Sequence, residues 1–108
     1  MVEVEFRGYR ILLGKNAENN DELISAASDD DYWLHLSEYP SPHCIICNPS
    51  GKRIHSKVIQ HAAYLTKKYS KYARVDKVSV DVTRIKFVQM TEKKGLVRVI
   101  NIIKTLCV

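Results

Sequence analysis

The sequence has no hydrophobic run long enough to cross a membrane. A membrane-spanning helix needs about 18 to 20 consecutive apolar residues, and polar or charged residues interrupt every apolar segment well before that length. After Met1 the chain alternates valine with glutamate, unlike the basic and then continuously apolar start of a signal peptide. These absences predict an intracellular protein, cytoplasmic or nuclear, with no membrane partner.

Cysteine is also scarce, and its three copies do not predict a disulfide scaffold. Cys44 and Cys47 are separated by two isoleucines without a turn residue, so reduced thiols fit better. The Cys-x-x-Cys spacing, with His35, His43 and His55 nearby, raises the alternative of a zinc site. Residues 44 and 47 of a strand point to opposite faces, and no second ligand pair follows, so we predict buried thiols and no metal or cofactor.

The common sequence signatures of catalysis are missing. There is no glycine-rich phosphate loop, no His-Glu-x-x-His motif and no nucleophile elbow. Asp31, His35 and His43 are of the residue types that bind metals or transfer protons, which keeps a metal-dependent hydrolase as a lesser alternative. We predict no catalytic residues.

Basic residues are in excess. The net charge is +5 and the isoelectric point is about 9.2, which is compatible with a polyanionic partner. The local imbalance is larger, because residues 52–77 contain eight lysines and arginines against the single acid Asp76. This segment favours nucleic acid as a partner more strongly than the net charge does.

The pattern of apolar residues predicts a single α+β domain over residues 1–108, with no repeat or linker. A mostly antiparallel sheet would be covered by a long helix at about 57–70, capped by Ser56, and a short helix at about 19–27, capped within Asn19-Asn20-Asp21. The predicted strands are 2–6, 9–13, 31–36, 43–47 and a bent strand from 78 to about 88. Residues 96–108 would form one long strand or a hairpin near Asn101.

The long helix has two distinct faces. Val58, Ala62, Leu65 and Tyr69 recur at helical spacing and should pack on the sheet. The opposite face should carry a basic stripe with an aromatic residue within it, formed by Lys57, His61, Tyr64, Lys68 and Lys71. An exposed stripe of this kind could follow a phosphate backbone.

The segment around the only tryptophan is the most distinctive. In a strand, Asp31, Trp33 and His35 share one face. The other face carries Tyr32, Leu34 and Leu36. With His43 from the next strand, this face could be a platform that stacks bases and hydrogen-bonds their edges. The alternative is a buried tryptophan with a hydrogen-bonded histidine, which the spacing alone slightly favours.

The ordered blocks of the sequence resemble the NFACT-R domain. The blocks are Leu13-Gly14-Lys15-Asn16, Asn20-Asp21, Asp31-x-Trp33-x-His35, Ser41-Pro42-His43, Ala62-Ala63, Tyr69-Ser70, Val82-Thr83 and Gly95. The resemblance runs from about residue 9 to residue 108, and the Asp-x-Trp-x-His block is its most specific part. The chain departs from the family at Pro42, which removes a backbone N–H that a phosphate could have used.

The resemblance implies a non-catalytic RNA-binding module that engages tRNA or ribosomal RNA in translation or ribosome quality control. The ribosome or an NFACT-type protein would be a further partner, and a protein-interaction adaptor is the alternative. Modules that accompany the domain in the long family proteins are missing, so tail-adding activity is not implied. The predicted RNA-binding residues are Lys15, Asp31, Trp33, His35, His43, Arg53, Lys57, His61, Tyr64, Lys68, Lys71, Arg84 and Lys86.

Overall fold

The computed structural model describes residues 1–108 and contains eight strands and two helices. The strands are β1 (Val2–Phe6), β2 (Tyr9–Leu13), β3 (Tyr32–Leu36), β4 (Cys44–Ile46), β5 (Ser79–Arg84), β6 (Val88–Met90), β7 (Val97–Val99) and β8 (Lys104–Cys107), and the helices are α1 (Ala17–Ala26) and α2 (Ser56–Lys68). Six strands form an antiparallel sheet in the order β1-β2-β4-β3-β5-β8, and β6 pairs with β7 in a separate ribbon. The predicted α+β fold is confirmed.

Helix α2 covers one face of the sheet. Its residues Val58, Ala62 and Leu65 are buried in the larger core cluster with side chains of β2, β3, β4 and β5. The fourth residue of the predicted inner face, Tyr69, is instead 45% exposed. Since α2 ends at Lys68 and Tyr69 is the C-cap, the helical periodicity no longer controls the direction of that side chain.

The opposite face of the sheet is also covered. Leu23 and Ile24 of α1 pack with Trp33, Ile45 and Ile85 in a second cluster, which side chains of β6 and β7 extend. The central strands β3 and β4 are therefore buried on both sides, unlike the edge strand β1, where half-buried and exposed residues alternate. The molecule consists of three layers, with the sheet between α2 on one side and α1 with the ribbon on the other.

Both helices begin at caps other than the predicted ones. Asn16 caps α1 by accepting a 2.8 Å hydrogen bond from the backbone N–H of Asn19. The ring of His55 caps α2 by accepting a 3.1 Å hydrogen bond from the N–H of Lys57, so the cap is not Ser56. The sequence offers several suitable oxygens and nitrogens near each start, and the path of the preceding loop selects among them.

The prediction of one strand or a hairpin over residues 96–108 is wrong. Strand β7 pairs with β6 in the ribbon, whereas β8 pairs with β5 at the edge of the main sheet. Between them the chain crosses from one layer to the other, held by a hydrogen bond from the Thr83 hydroxyl to the Asn101 carbonyl. The crossing leaves Ile100, Ile102 and Ile103 exposed.

The predicted bent strand from 78 to about 88 is interrupted. Strand β5 ends at Arg84, and a 3-10 turn at Ile85–Phe87 leads into β6. The turn moves the chain out of the main sheet, because the backbone N–H of Ile85 bonds to the Asp31 carbonyl at the start of β3 and the ladder ends there.

Neither helix of the fold combines the length and the apolar character that a membrane span requires.

Candidate nucleic-acid interface

Trp33 lies in the middle of β3, paired with Ile45, and is only 3% exposed. Its indole Nε1 donates a 3.2 Å hydrogen bond to Nδ1 of His43, which is also buried. The ring of His35 is parallel to the indole, with the ring centroids 5.6 Å apart. Of the two interpretations of Trp33, the buried tryptophan with a hydrogen-bonded histidine is therefore the one observed. Trp33 offers no exposed face for stacking a base, because α1 and the ribbon cover this side of the sheet.

The two histidines beside Trp33 are held neutral. Burial, together with the nearby His35, lowers the pKa of His43 to about 4, while Asp21 and the Gly95 backbone oppose the shift. Burial also lowers the pKa of His35, although its contact with the Leu36 carbonyl opposes this. A neutral His43 can accept the indole hydrogen bond at Nδ1, whereas a protonated ring could not.

Asp31 is buried and acts within the fold. Its carboxylate accepts hydrogen bonds from the backbone N–H of Ser28 at 2.9 Å and of Asn48 at 2.7 Å. The first bond holds the loop before β3, and the second joins the start of β3 to the loop that follows β4. The predicted RNA contact by Asp31 is not available in this arrangement, because both carboxylate oxygens already have partners.

Arg84 and Lys86 are partly neutralised by Asp30. Nη1 of Arg84 lies 2.9 Å from an oxygen of the Asp30 carboxylate and also donates to the Gly51 carbonyl, and its side chain is 18% exposed. Nζ of Lys86 lies 3.7 Å from the same oxygen of Asp30. These two predicted contacts are therefore weaker candidates for phosphate binding than unpaired lysines.

An open groove of about 630 Å³ lies beside the Trp33 cluster. It is formed by the β2–α1 loop, the β3–β4 loop, His35, the end of α2 and the β6–β7 loop. Most blocks that resemble the NFACT-R family contribute to it, although they are far apart in sequence. These are Leu13-Gly14-Lys15-Asn16, Asn20, His35, Ser41-Pro42-His43, Tyr69-Ser70 and Gly95.

The groove is strongly basic. Lys15, Lys71, Lys93 and Lys94 line it, and no aspartate or glutamate does. None of these four ammonium groups forms an ion pair or a hydrogen bond with another residue. A concave surface with unpaired positive charge concentrates anions, so the groove is suited to phosphate groups.

Short polar contacts from α1 hold the walls of the groove in place. The side-chain oxygen of Asn20 accepts a 3.2 Å hydrogen bond from the backbone N–H of His43. The neighbouring Asp21 accepts a 3.0 Å hydrogen bond from the N–H of Gly95, where a φ of +76° favours glycine. The Asn20-Asp21 block thus fixes the β3–β4 and β6–β7 loops to one helix.

Replacing Gly14 with alanine should destabilise the protein by about 2 kcal/mol. A Cβ at this position would overlap the side-chain amide of Asn20 and would lie 3.2 Å from its Cα. Moving the amide would break its bond to His43. Urea unfolding of a double-mutant cycle checks this, because Gly14→Ala should cost clearly less when combined with Asn20→Ala; equal costs in both backgrounds would contradict the overlap.

The basic stripe on α2 continues from the groove. Lys57, Tyr64 and Lys68 are exposed as predicted, and Lys71 beyond the end of the helix belongs to both surfaces. His61 is half-buried, because its ring stacks on Phe6 with the centroids 4.0 Å apart. Arg53 is exposed in the loop before α2.

Sequence reasoning missed Lys93, Lys94 and Tyr69 as groove residues. Lys93 and Lys94 form a turn with Gly95, whose place among the family blocks was the only signal that this turn belongs to the site. Helical spacing predicts a core position for Tyr69, but Tyr69 lines the groove. Tyr69 and the turn that contains Lys93 and Lys94 are more than 20 positions apart in the sequence, so only the fold brings them together.

The residue types considered for a metal site do not converge. No group of three or more His, Cys, Asp or Glu side chains is arranged to hold a metal ion. Cys44 is buried under α2, where burial raises the pKa of its thiol to about 12, and Cys47 is half-buried after the end of β4. All three cysteines are free.

A family model and a curated protein match the sequence of this chain. Residues 2–98 match the family model described as the NFACT protein RNA binding domain. The chain is 34% identical over 83 residues to the Rqc2 homolog RqcH of Bacillus subtilis, an alignment that covers 76% of this chain and 14% of that protein. This chain therefore corresponds to a small part of the curated relative it matches.

A solved structure has the same fold. The C-terminal part of the fibronectin/fibrinogen-binding protein from Streptococcus suis superimposes with a TM-score of 0.87 at 30% identity, over 98% of this chain and 43% of that one. The family match covers nearly the whole sheet, both helices and every block that lines the groove. The chain belongs to the NFACT RNA-binding domain family.

Proposed function

We propose that this domain binds RNA without catalysing a reaction, through its basic groove and the adjoining stripe on α2. The observation that carries the proposal is the convergence of four lysines, none of them in an ion pair, among groove-lining residues that include no carboxylate. Only Lys94 also lies beside acidic residues, on the neighbouring surface formed by Glu18, Asp21 and Glu22. Phosphates supply most of the affinity in such interfaces, because each lysine that binds a phosphate releases counterions from the nucleic acid. The remaining predicted contacts, Lys57, His61, Tyr64 and Lys68, extend the path along the helix.

The RNA proposed is tRNA or ribosomal RNA, in the context of ribosome quality control in the cytoplasm. The family description names RNA binding, and the bacterial relative is an Rqc2 homolog. A folded RNA presents both a helical backbone and unpaired segments, which suit an exposed helix stripe and a concave groove respectively. The ribosome or an NFACT-type protein is the proposed larger partner.

Labelled tRNA should bind this domain with an affinity that falls steeply as salt increases. Replacing Lys15 and Lys71 with glutamine should weaken binding about tenfold. It should also reduce the slope of log affinity against log salt by about two, one for each lysine that no longer binds a phosphate. Fluorescence anisotropy at several salt concentrations measures both quantities.

The matched control removes the same charge elsewhere. Lys52 and Lys77 are exposed and lie outside the groove, so changing both to glutamine should alter the affinity by less than about threefold. Equal losses for the two double variants would indicate attraction by net charge alone. Affinity that does not depend on salt would contradict a phosphate-led interface.

The second candidate is a protein-interaction adaptor, favoured by the exposed Ile100, Ile102 and Ile103 on the crossing between the ribbon and the sheet. Adjacent exposed isoleucines are typical of surfaces that contact another protein. Sedimentation with purified ribosomes separates the candidates. An adaptor should lose binding after Ile100→Ser with Ile102→Ser and keep it after Lys15→Gln with Lys71→Gln, whereas the RNA-binding proposal expects the reverse.

A further inference from the structure

The groove has the size of a small-ligand site and not that of a surface for duplex RNA. Its volume of about 630 Å³ falls within the range of roughly 300 to 1,000 Å³ typical of small-molecule sites. Such a volume can hold about one or two nucleotides.

The walls of the groove differ in chemistry. Besides the lysines, the lining includes the ring of Tyr69, which is 45% exposed, and the exposed Leu96. Nζ of Lys68 lies 5.7 Å from the centroid of the Tyr69 ring, so a cation adjoins the aromatic surface. An exposed aromatic ring beside cations is the combination that binds single-stranded nucleic acid, by stacking a base and pairing its phosphate.

His35 adds a hydrogen-bonding group to the same space. Its Nδ1 lies 2.6 Å from the Leu36 carbonyl and donates to it, which leaves Nε2 as an acceptor. An acceptor in a groove suits an amino group of a base or a ribose hydroxyl. The hydroxyl of Ser41, by contrast, is occupied by the Leu36 N–H and the Pro42 carbonyl.

We infer that the groove holds an unpaired segment of RNA, with a base stacked on Tyr69 and the flanking phosphates on Lys15, Lys71, Lys93 and Lys94. This inference rests on the proposed RNA binding and specifies its ligand. Duplex regions contact only the stripe on α2, and the groove supplies the preference for an unpaired strand end.

Two RNA hairpins with the same number of phosphates provide the test. In one, about four nucleotides at the 3′ end are unpaired, and in the other every nucleotide outside the loop is paired. The wild-type domain should bind the first about tenfold more tightly in fluorescence anisotropy. Tyr69→Ala should remove this preference while leaving the affinity for the paired hairpin nearly unchanged.

Tyr64→Ala is the matched control for the preference, since Tyr64 is a 50% exposed tyrosine of the α2 stripe outside the groove and should affect both hairpins equally. This variant should retain the preference for the unpaired end. Leu96→Ala is a second groove variant and should reduce the preference. Circular dichroism verifies that each variant is folded.

The outcomes are distinguishable. If the two hairpins bind equally well, or if Tyr64→Ala and Tyr69→Ala have the same effect, the inference about the groove is wrong while RNA binding stands. If neither hairpin nor tRNA binds, the proposed function itself is wrong.

Discussion

Replacing Trp33 with alanine is expected to lower the free energy of unfolding by about 3 to 5 kcal/mol. The indole is 3% exposed and fills the space between the sheet and α1, so its removal leaves a cavity among Leu23, Ile24 and Ile45. The substitution also removes the donor to His43 and leaves a buried ring nitrogen without its partner. Urea unfolding followed by circular dichroism measures the loss, since Trp33 is the only fluorescent indole.

Trp33→Phe separates packing from hydrogen bonding. Phenylalanine keeps much of the apolar volume but cannot donate to His43, so we expect a smaller cost, of about 1 to 2 kcal/mol. The folded Trp33→Phe protein should bind tRNA within about twofold of the wild type, because the ring does not reach the surface. An alanine variant that loses less than about 1 kcal/mol would show that the indole is not packed as described.

The protein should become less stable as the pH falls from about 6.5 towards 4. His43 has a folded-state pKa of about 4, well below the value of about 6.5 expected in the unfolded chain. Between these values the unfolded chain takes up a proton that the native state excludes, which favours unfolding. The stability is therefore complete above about pH 6.5 and is lost progressively down to about pH 4, by an amount on the order of 3 kcal/mol.

Replacing individual histidines shows which side chain causes this pH dependence of the stability. Burial also lowers the pKa of His35, so His35 contributes a loss of the same sign. His43→Gln should be less stable than the wild type at neutral pH. Its free energy of unfolding should fall less steeply towards pH 5, with a slope smaller by up to about 1.4 kcal/mol per pH unit. Parallel curves for the wild type and His43→Gln would contradict a buried, neutral His43.

The Asp-x-Trp-x-His block thus supports the binding surface from beneath. Trp33 is packed beneath the groove and Asp31 ties two loops together. His35 and His43 both line the groove, His35 partly exposed and His43 almost fully buried. The contacts proposed for RNA come instead from lysines and Tyr69 at the ends of the surrounding elements. The residues that identify the family can therefore stabilise the fold. The residues proposed to contact RNA are others, whose sequence pattern is less specific.

Local patterns of apolar residues are enough to specify the individual strands and helices. Alternation at Val2, Val4 and Phe6 specifies a strand with one inward face, and the spacing of Val58, Ala62 and Leu65 specifies a helix with one buried face. The segment of residues 52–77 already indicated a basic surface, and Lys57, Tyr64, Lys68 and Lys71 of the helix stripe are exposed as predicted. These features depend on neighbours within a few residues, so periodicity is enough to reveal them.

Only long-range packing buries both faces of β3 and forms the groove. Periodicity places Trp33 and His35 on one face of a strand, but it does not say that α1 and a ribbon formed by β6 and β7 cover that face. The cap of α2 at His55 and the division of residues 96–108 between two sheets likewise depend on contacts with distant strands. Lys15, Lys71 and Lys93 meet in one groove because the sheet order brings together loops that are far apart in the chain, and burial and shape depend on such long-range packing.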